Sequence, residues 1–287
     1  MEFTGERFIP GKPELVHLYQ EHMTRYMFAR HLVAGKNVID LGCGAGYGSF
    51  YMAKSGAASV LGIDNSSEAI NYCDNHYTST NLTFQVGDVT GLRNDRLFDV
   101  AVAFELIEHI EKYAEFLITV KNHLVKDGLL ILSTPNKNTY TTGNEFHFRE
   151  FYPEEFSDLL KEHYRNVAIY HQGYPSTIAI VEETASNAGS DEIIEIPVGY
   201  SYPNPKLNET SLYLIALCSD SSIPTVKSEL FLFGEDTILL EQYSRWRAWS
   251  KLTLEQRVKL KLKVKLKETL RELHLARLLP TKSVCRT

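Results

Sequence analysis

Residues Asn37 to Gly48 read NVIDLGCGAGYG, and the fold turns on them. Val38, Ile39 and Leu41 form an apolar run suited to a buried strand, Asp40 stands near its end, and glycines follow at 42, 44, 46 and 48. Glycine is needed where backbone takes positive φ or comes close to a ligand, and a helix starting after such a loop directs unbonded N–H groups at whatever lies there. A polar ligand is therefore expected over Gly42, Gly44 and Gly46. The dinucleotide fingerprint requires a third glycine five residues after the first, where this chain has Tyr47. No Gly-Lys-Ser/Thr follows, which removes the P-loop as well. Taken alone, the loop also fits any strand-to-helix turn of an α/β protein.

The string DLGCGAG, Asp40 to Gly46, resembles the first motif of class I S-adenosylmethionine-dependent methyltransferases. The resemblance implies that the loop carries the methionine end of S-adenosylmethionine, with Asp40, Gly42, Gly44 and Gly46 in the cofactor site. A second feature agrees. The apolar run ASVLGID ends in Asp64, 22 residues after Gly42, where an acid can accept both ribose hydroxyls. The run LTFQVGDV then places Asp88 and Val89 where the resembled family sets an acid against the adenine amine, an exposed turn aspartate being the other reading.

Two further runs, LFDVAVAF and GLLILST, are rich in Val, Ile and Leu, as parallel strands buried on both faces should be. Lys126-Asp127-Gly128 is expected to turn into the second, and Tyr113 to Leu124 between them reads as an amphipathic helix. Strands alternating with helices predict a doubly wound, mainly parallel α/β sheet of seven strands, with ligands at the carboxyl ends of the strands. Asp40, Gly42, Asp64, Asp88 and Phe104 all fall at such ends. SLYLIALCS is expected as the last strand, antiparallel beside the sixth, NVAIYHQG. Residues 174–210 hold no sustained period and read as an insertion before that last strand. The division expected is a helical lid over residues 1–35, a methyltransferase domain over 36–220 and an extension over 221–287.

The lid is one helix ending near Gly35. ERFIPG and EHMTRY resemble the front of methyltransferases found with surface-polysaccharide synthesis, which would let Arg25 and Tyr26 reach cofactor or acceptor. A solvated arginine and a core tyrosine fit the same residues. In the extension, KLKLKVKLKETL alternates at period two, yet the length from Lys251 to Leu279 without a turn residue, stopped by Pro280, favours a basic helix. Trp246 and Trp249 at its start suit a membrane interface; partner packing or a solvated helix suits it too.

The net charge of −6 conceals an asymmetry. Residues 245–287 carry 13 Lys+Arg against 3 Asp+Glu, and the other 244 residues carry 17 against 33. An acidic body is repelled by phosphates, so nucleic acid is not an expected partner, whereas the tail could meet an anionic membrane. The four cysteines have no metal or disulfide spacing, the start is no signal peptide, and no eighteen apolar residues run together. The expectation is a cytoplasmic protein, in peripheral contact with the inner face of a membrane if the tail binds there.

Chemistry should lie beyond the fourth and fifth strands, where the chain reads Phe104-Glu-Leu-Ile-Glu-His109. On a helical turn, Glu105, Glu108 and His109 share one face. ELIEH resembles the metal-binding string of ubiquinone-type O-methyltransferases and of small-RNA terminal 2′-O-methyltransferases, in which a later histidine completes a magnesium or manganese site. His147 stands in the matching loop. Glu105, Glu108, His109 and His147 are thus the implied metal ligands, with Mg2+ or Mn2+ holding vicinal hydroxyls of the acceptor. Metal-free members of the superfamily carry a similar string, and then His109 or His147, with Glu105 beside them, is the candidate catalytic base. The reading is an O-methyltransferase acting on a sugar of a surface glycan, with a quinone-pathway or other small-molecule acceptor as the alternative. A cofactor-binding partner of a glycan enzyme, without turnover, is the rival from another class.

Overall fold

The computed structural model describes residues 16–92, 96–140, 144, 146–173, 194–197, 211–226 and 229–232, with side chains for all but 16–17, 194–197 and 229–232. The chain divides into two compact units, Met1–Leu232 and Phe233–Thr287, and every described residue lies in the first. The tract ERFIPG, most of the expected insertion and the basic tail lie outside the described residues.

Helix α1 (Val16–Val33) leads into β1 (Asn37–Leu41), α2 (Tyr47–Lys54), β2 (Ser59–Asp64), α3 (Ser67–His76) and β3 (Leu82–Val86). Then follow β4 (Phe98–Ala103), α4 (Tyr113–Asn122), β5 (Leu124–Pro135), α5 (Pro153–His163), β6 (Asn166–Gln172), β7 (Ile194–Pro197), β8 (Tyr213–Ser219) and β9 (Glu229–Leu232). Seven strands form one sheet in the order β3-β2-β1-β4-β5-β8-β6. β1 to β5 pair in parallel, and β8 runs antiparallel between β5 and β6. The strand order reverses between β1 and β4, so ligands are expected in the crevice over their carboxyl ends.

The period-two alternation of the strands divides the core between the two faces. Ala101, Ala103, Leu130 and Leu132 pack with Phe116, Leu117 of α4 and Phe156, Leu160 of α5. Val100, Val102, Leu129 and Ile131 pack with Tyr26, Phe28 of α1 and Met52, Ala53 of α2. The inner strands β1, β2, β4, β5 and β8 are buried on both faces, which accounts for their apolar runs, whereas the edge strands β3 and β6 are partly exposed.

Four sequence expectations are corrected. Lys126-Asp127-Gly128 is no turn before the strand: it lies inside β5, where the register slips between the Phe98–Leu124 and Val100–Leu129 pairs and the surplus residues are taken up as a bulge. The sequence after the loop reads as a helix over Ser49 to Ser55, and α2 instead begins at Tyr47, tight against Gly46. Within the stretch read as an aperiodic insertion, β7 pairs antiparallel with β9 as a separate two-stranded sheet. Finally, the helical turn expected to carry Glu105 is a single 3-10 turn, Ile107–His109, and Glu105 precedes it. Among the described residues no helix is long and apolar enough to cross a membrane.

Candidate functional site

At the end of β1 the chain must reverse within a few residues to start α2. Gly42, Gly44 and Gly46 take φ of 72°, 54° and 79°, the left-handed region that a side chain resists. A Cβ on Gly44 would meet nothing within 4 Å, so the loop offers open space there. The loop is tied to β2: the N–H groups of Gly42 and Cys43 donate to the Ile63 carbonyl, and that of Gly44 donates to Asp64 Oδ2 at 3.0 Å. Asp64 Oδ1 accepts from the Ser66 N–H at 2.9 Å, so the carboxylate is held at the strand end beside the loop. Asp40 lies buried underneath, accepting from Ser49 Oγ at 2.5 Å and from the Tyr26 hydroxyl at 3.4 Å. Burial pushes its carboxyl up to about 7.

Helix α1 places Arg25 and Tyr26 over these strand ends. Tyr26 is buried edge-on against Phe104, with ring centroids 5.0 Å apart, and its ring fills the space a Cβ on Gly48 would need. Arg25 is 0% exposed. Its Nη1 donates to Gln172 Oε1 at 2.9 Å, its guanidinium lies 4.6 Å from the centroid of the Tyr213 ring, and its Nε and Nη2 have no hydrogen-bond partner. Gln172 and Tyr213 face each other in register on β6 and β8. Tyr213 in turn donates to Glu21 Oε2 at 2.7 Å. Burial would lower the guanidinium's pKa, but the nearby acids, Glu105 first, raise it overall.

Glu105 follows β4 with φ of 50°, the one non-glycine residue of positive φ among those described. Its carboxylate accepts from Ser133 Oγ at 2.6 Å, and the same oxygen accepts from the Glu105 N–H at 3.0 Å. Burial raises its pKa, against the lowering influence of Arg25. It therefore belongs with Arg25 and Ser133, and the expectation that it joins Glu108 and His109 on one face is overturned, because the backbone turns at positive φ before the 3-10 turn begins.

Glu108, His109 and His147 do converge: one ligand atom from each lies within 4.8 Å of the others. Glu108 is 1% exposed, neither carboxylate oxygen makes a well-formed hydrogen bond although the Thr134 hydroxyl lies near enough to lower its pKa, and burial followed by the charge of Glu105 holds that pKa well above the ordinary range. His109 Nδ1 lies 3.1 Å from the Phe146 carbonyl, which requires a proton there and places the lone pair on Nε2. His147 Nδ1 lies 3.3 Å from Glu150 Oε1 and its Nε2 3.0 Å from Asn144 Nδ2, the same tautomer. The loop after β5 is pinned to this turn by the N–H groups of Phe148 and Arg149, which donate to the Glu108 carbonyl.

Asp88 is exposed and caps its own short turn, accepting from Thr90 N and Oγ1 at 2.8 Å, while Val89 packs half-buried on the core. Both lie just beyond the end of β3, Asp88 as the cap and Val89 as the first residue of a short 3-10 turn, Val89–Gly91. Sequence reading missed Gln172, Tyr213 and Ser133. The first two are met only once β6 and β8 are known to pair, and no local signal marks them; Ser133 closes the run GLLILST and stands at a strand end like the residues that were found.

Residues 32–183, more than half of the chain, match a family model described as "Methyltransferase domain". A protein of Mycolicibacterium smegmatis named as a probable S-adenosylmethionine-dependent methyltransferase is 32% identical over 167 residues, 56% of this chain and 64% of that protein. The mitochondrial ubiquinone biosynthesis O-methyltransferase of Schizosaccharomyces pombe is 33% identical over 133 residues, 43% of this chain and 48% of that protein. The chain thus spans less than two thirds of the length of these relatives. Among solved structures, a chain of the complex between the Haloferax volcanii Trm112 methyltransferase activator and a methyltransferase superposes with a TM-score of 0.51 at 15% identity, covering 73% of this chain and 93% of that one. That last likeness is one of fold.

Proposed function

The chain belongs to the methyltransferase-domain family, and from that premise we propose that it is an S-adenosylmethionine-dependent O-methyltransferase whose acceptor is a hydroxyl of a surface-glycan sugar. The observation that carries the cofactor and cation parts of this reading is a pair of buried polar groups left unpartnered, each within reach of the Glu105 charge: the Nε–Nη2 edge of Arg25 and the carboxylate of Glu108. Each unpartnered buried group costs about 1–3 kcal/mol, and more if charged, so a ligand that satisfies it is bound with corresponding advantage.

The edge formed by Nε and Nη2 is a fork that matches the two oxygens of a carboxylate. S-adenosylmethionine has such a group at its amino-acid end and a ribose that suits Asp64, with Gly42, Gly44 and Gly46 between them; Asp88 and Val89 stand toward its adenine end. When bound, that cofactor supplies a methyl group on a sulfonium, open to in-line displacement. The chain's own residues position the two reactants. Gln172 and Tyr213 keep Arg25 in one orientation, and Tyr26 and Phe104 exclude water beside it.

Glu108, His109 and His147 have the donor set of a divalent-cation site, and Phe146 and Glu150 keep the proton of both imidazoles on Nδ1, so that Nε2 is the ligand atom, that of His147 once Asn144 releases it. Mg2+ or Mn2+ there would act as a Lewis acid on a hydroxyl. Without a cation, His109 or His147 would take the acceptor's proton. A quinone-pathway or other small-molecule acceptor, for which a catechol is a convenient probe, is the second reading, favoured by the similarity to the ubiquinone biosynthesis O-methyltransferase.

The test has two arms. Calorimetry with S-adenosylhomocysteine asks whether the cofactor site exists, and transfer of a labelled methyl group is then measured to sugar and catechol acceptors, with and without chelator. Binding without transfer to any acceptor would make the chain a cofactor-binding partner instead. Mn2+ should raise the melting temperature of the native chain and leave that of Glu108→Gln unchanged; full activity in chelator would remove the cation.

A further inference from the structure

Beside the candidate cation site lies a cavity of about 350 Å³ lined by Lys137, Asn144, His147, Phe148, Arg149, Glu150 and Glu155. We infer that it seats a second sugar ring, so that the acceptor is an oligosaccharide held over at least two residues and the cavity is the subsite next to the methylated one. This inference rests on the sugar reading above and deepens it.

Three observations carry it. First, the cavity shares His147 with the cation site, and Phe148 and Arg149, through their bonds to the Glu108 carbonyl, fix its wall to the reacting centre. A ligand reaching from one to the other needs to be only slightly longer than a monosaccharide. Second, the exposed aromatic surface gathers here. Of the six exposed large hydrophobic residues described, Phe146, Phe148 and Tyr152 are the aromatic ones and all come from this loop; Phe148 is 65% exposed. An aromatic ring left in water has a face free to pack on the C–H face of a pyranose.

Third, the polar lining is mixed. Glu150 and Glu155 accept, Lys137 and Arg149 donate, and Asn144 does both. Glu155 is paired with Arg149 at 3.7 Å and Glu150 accepts from His147 Nδ1 at 3.3 Å, while Lys137 meets the Tyr152 ring at 4.9 Å and no carboxylate among the described residues. Donors and acceptors together with one aromatic side chain suit a polyol with one apolar side. A prenylated quinone would call for a predominantly apolar pocket, which this is not.

The experiment uses the full chain, labelled cofactor, catechol, and a ladder of mono- to tetrasaccharides released by mild acid from a bacterial lipopolysaccharide. Transfer efficiency is expected to rise about tenfold from one sugar to two and little thereafter, the scale of a single good aromatic contact. Phe148→Ala, at an exposed position that the fold does not need, should abolish that rise while leaving the monosaccharide rate and S-adenosylhomocysteine affinity unchanged; Lys137→Ala should reduce it. Equal efficiency at every length, or a Phe148→Ala defect equal for one and two sugars, overturns the subsite alone. Transfer to catechol and to no sugar overturns the subsite and the glycan acceptor together, and absence of cofactor binding overturns the reading of function itself.

Discussion

Arg25 is a residue whose role cannot be guessed from its neighbours in the chain. EHMTRYMFAR places it on a helix where an arginine would ordinarily be solvated, and only the pairing of β6 with β8 brings Gln172 and Tyr213 to it. Charge-assisted hydrogen bonds contribute about 1.5–3 kcal/mol. Arg25→Gln should therefore weaken S-adenosylhomocysteine about ten- to a hundredfold by calorimetry, yet leave methylthioadenosine, which lacks the amino-acid carboxylate, bound as before. Asp40 makes a prediction of opposite kind. Its folded-state pKa of about 7 exceeds the ordinary 3.8, so its contribution to stability is fully present below the lower value and lost as pH rises through the upper one. Asp40→Asn removes that loss. Its stability advantage over the native chain should grow between pH 4 and 7, by on the order of 4 kcal/mol, and then level off in denaturant titrations. Glu105 and Glu108 incline the native chain the same way and His22 the other way, which is why the comparison is between variants.

At the scale of elements, α1 and α2 meet through a side chain that is missing. A Cβ on Gly48 would lie 2.0 Å from the Tyr26 ring, which is itself confined by Phe104 and Tyr47. Gly48→Ala should destabilise the fold by about 1–3 kcal/mol, as overpacking does, and weaken cofactor binding by displacing α1; adding Tyr26→Leu should recover part of the stability. The strands were legible because burial on both faces leaves unbroken apolar runs, and the loop because three of its glycines stand at positive φ. What misled was local pattern without geometry. Lys126-Asp127-Gly128 has turn composition but is absorbed as a bulge, and the i, i+3, i+4 spacing of Glu105, Glu108 and His109 presumed a helix that positive φ at Glu105 forbids. The grouping of Glu108 with His109 and His147 was what the resemblance of ELIEH to a metal-binding string implied, and the three ligand atoms do come together.

For the whole molecule, the separation of charge invites a test that the described residues do not reach. Residues 245–287, with 13 Lys+Arg against 3 Asp+Glu, should bring the full chain down with anionic vesicles at low salt. A chain lacking them should remain in the supernatant, and raising the salt should release the full chain, since screening shortens the range of such attraction to about 3 Å at 1 M. Composition showed the asymmetry, whereas the tail's form, expected as a basic helix, lies outside the described residues. The position of β8 bears on how the protein comes into being. Among the described residues β6 has β8 as its sole neighbour, and β8 is encoded about 40 residues later. A growing chain therefore holds β6 without a partner, and the flank of β5 bare, for roughly 2 to 8 s at ordinary rates of synthesis. Ribosome-held intermediates halted between Gln172 and Tyr213 should be the ones that chaperones clasp and proteases cut, and release from both should come only when Ser219 has cleared the exit tunnel.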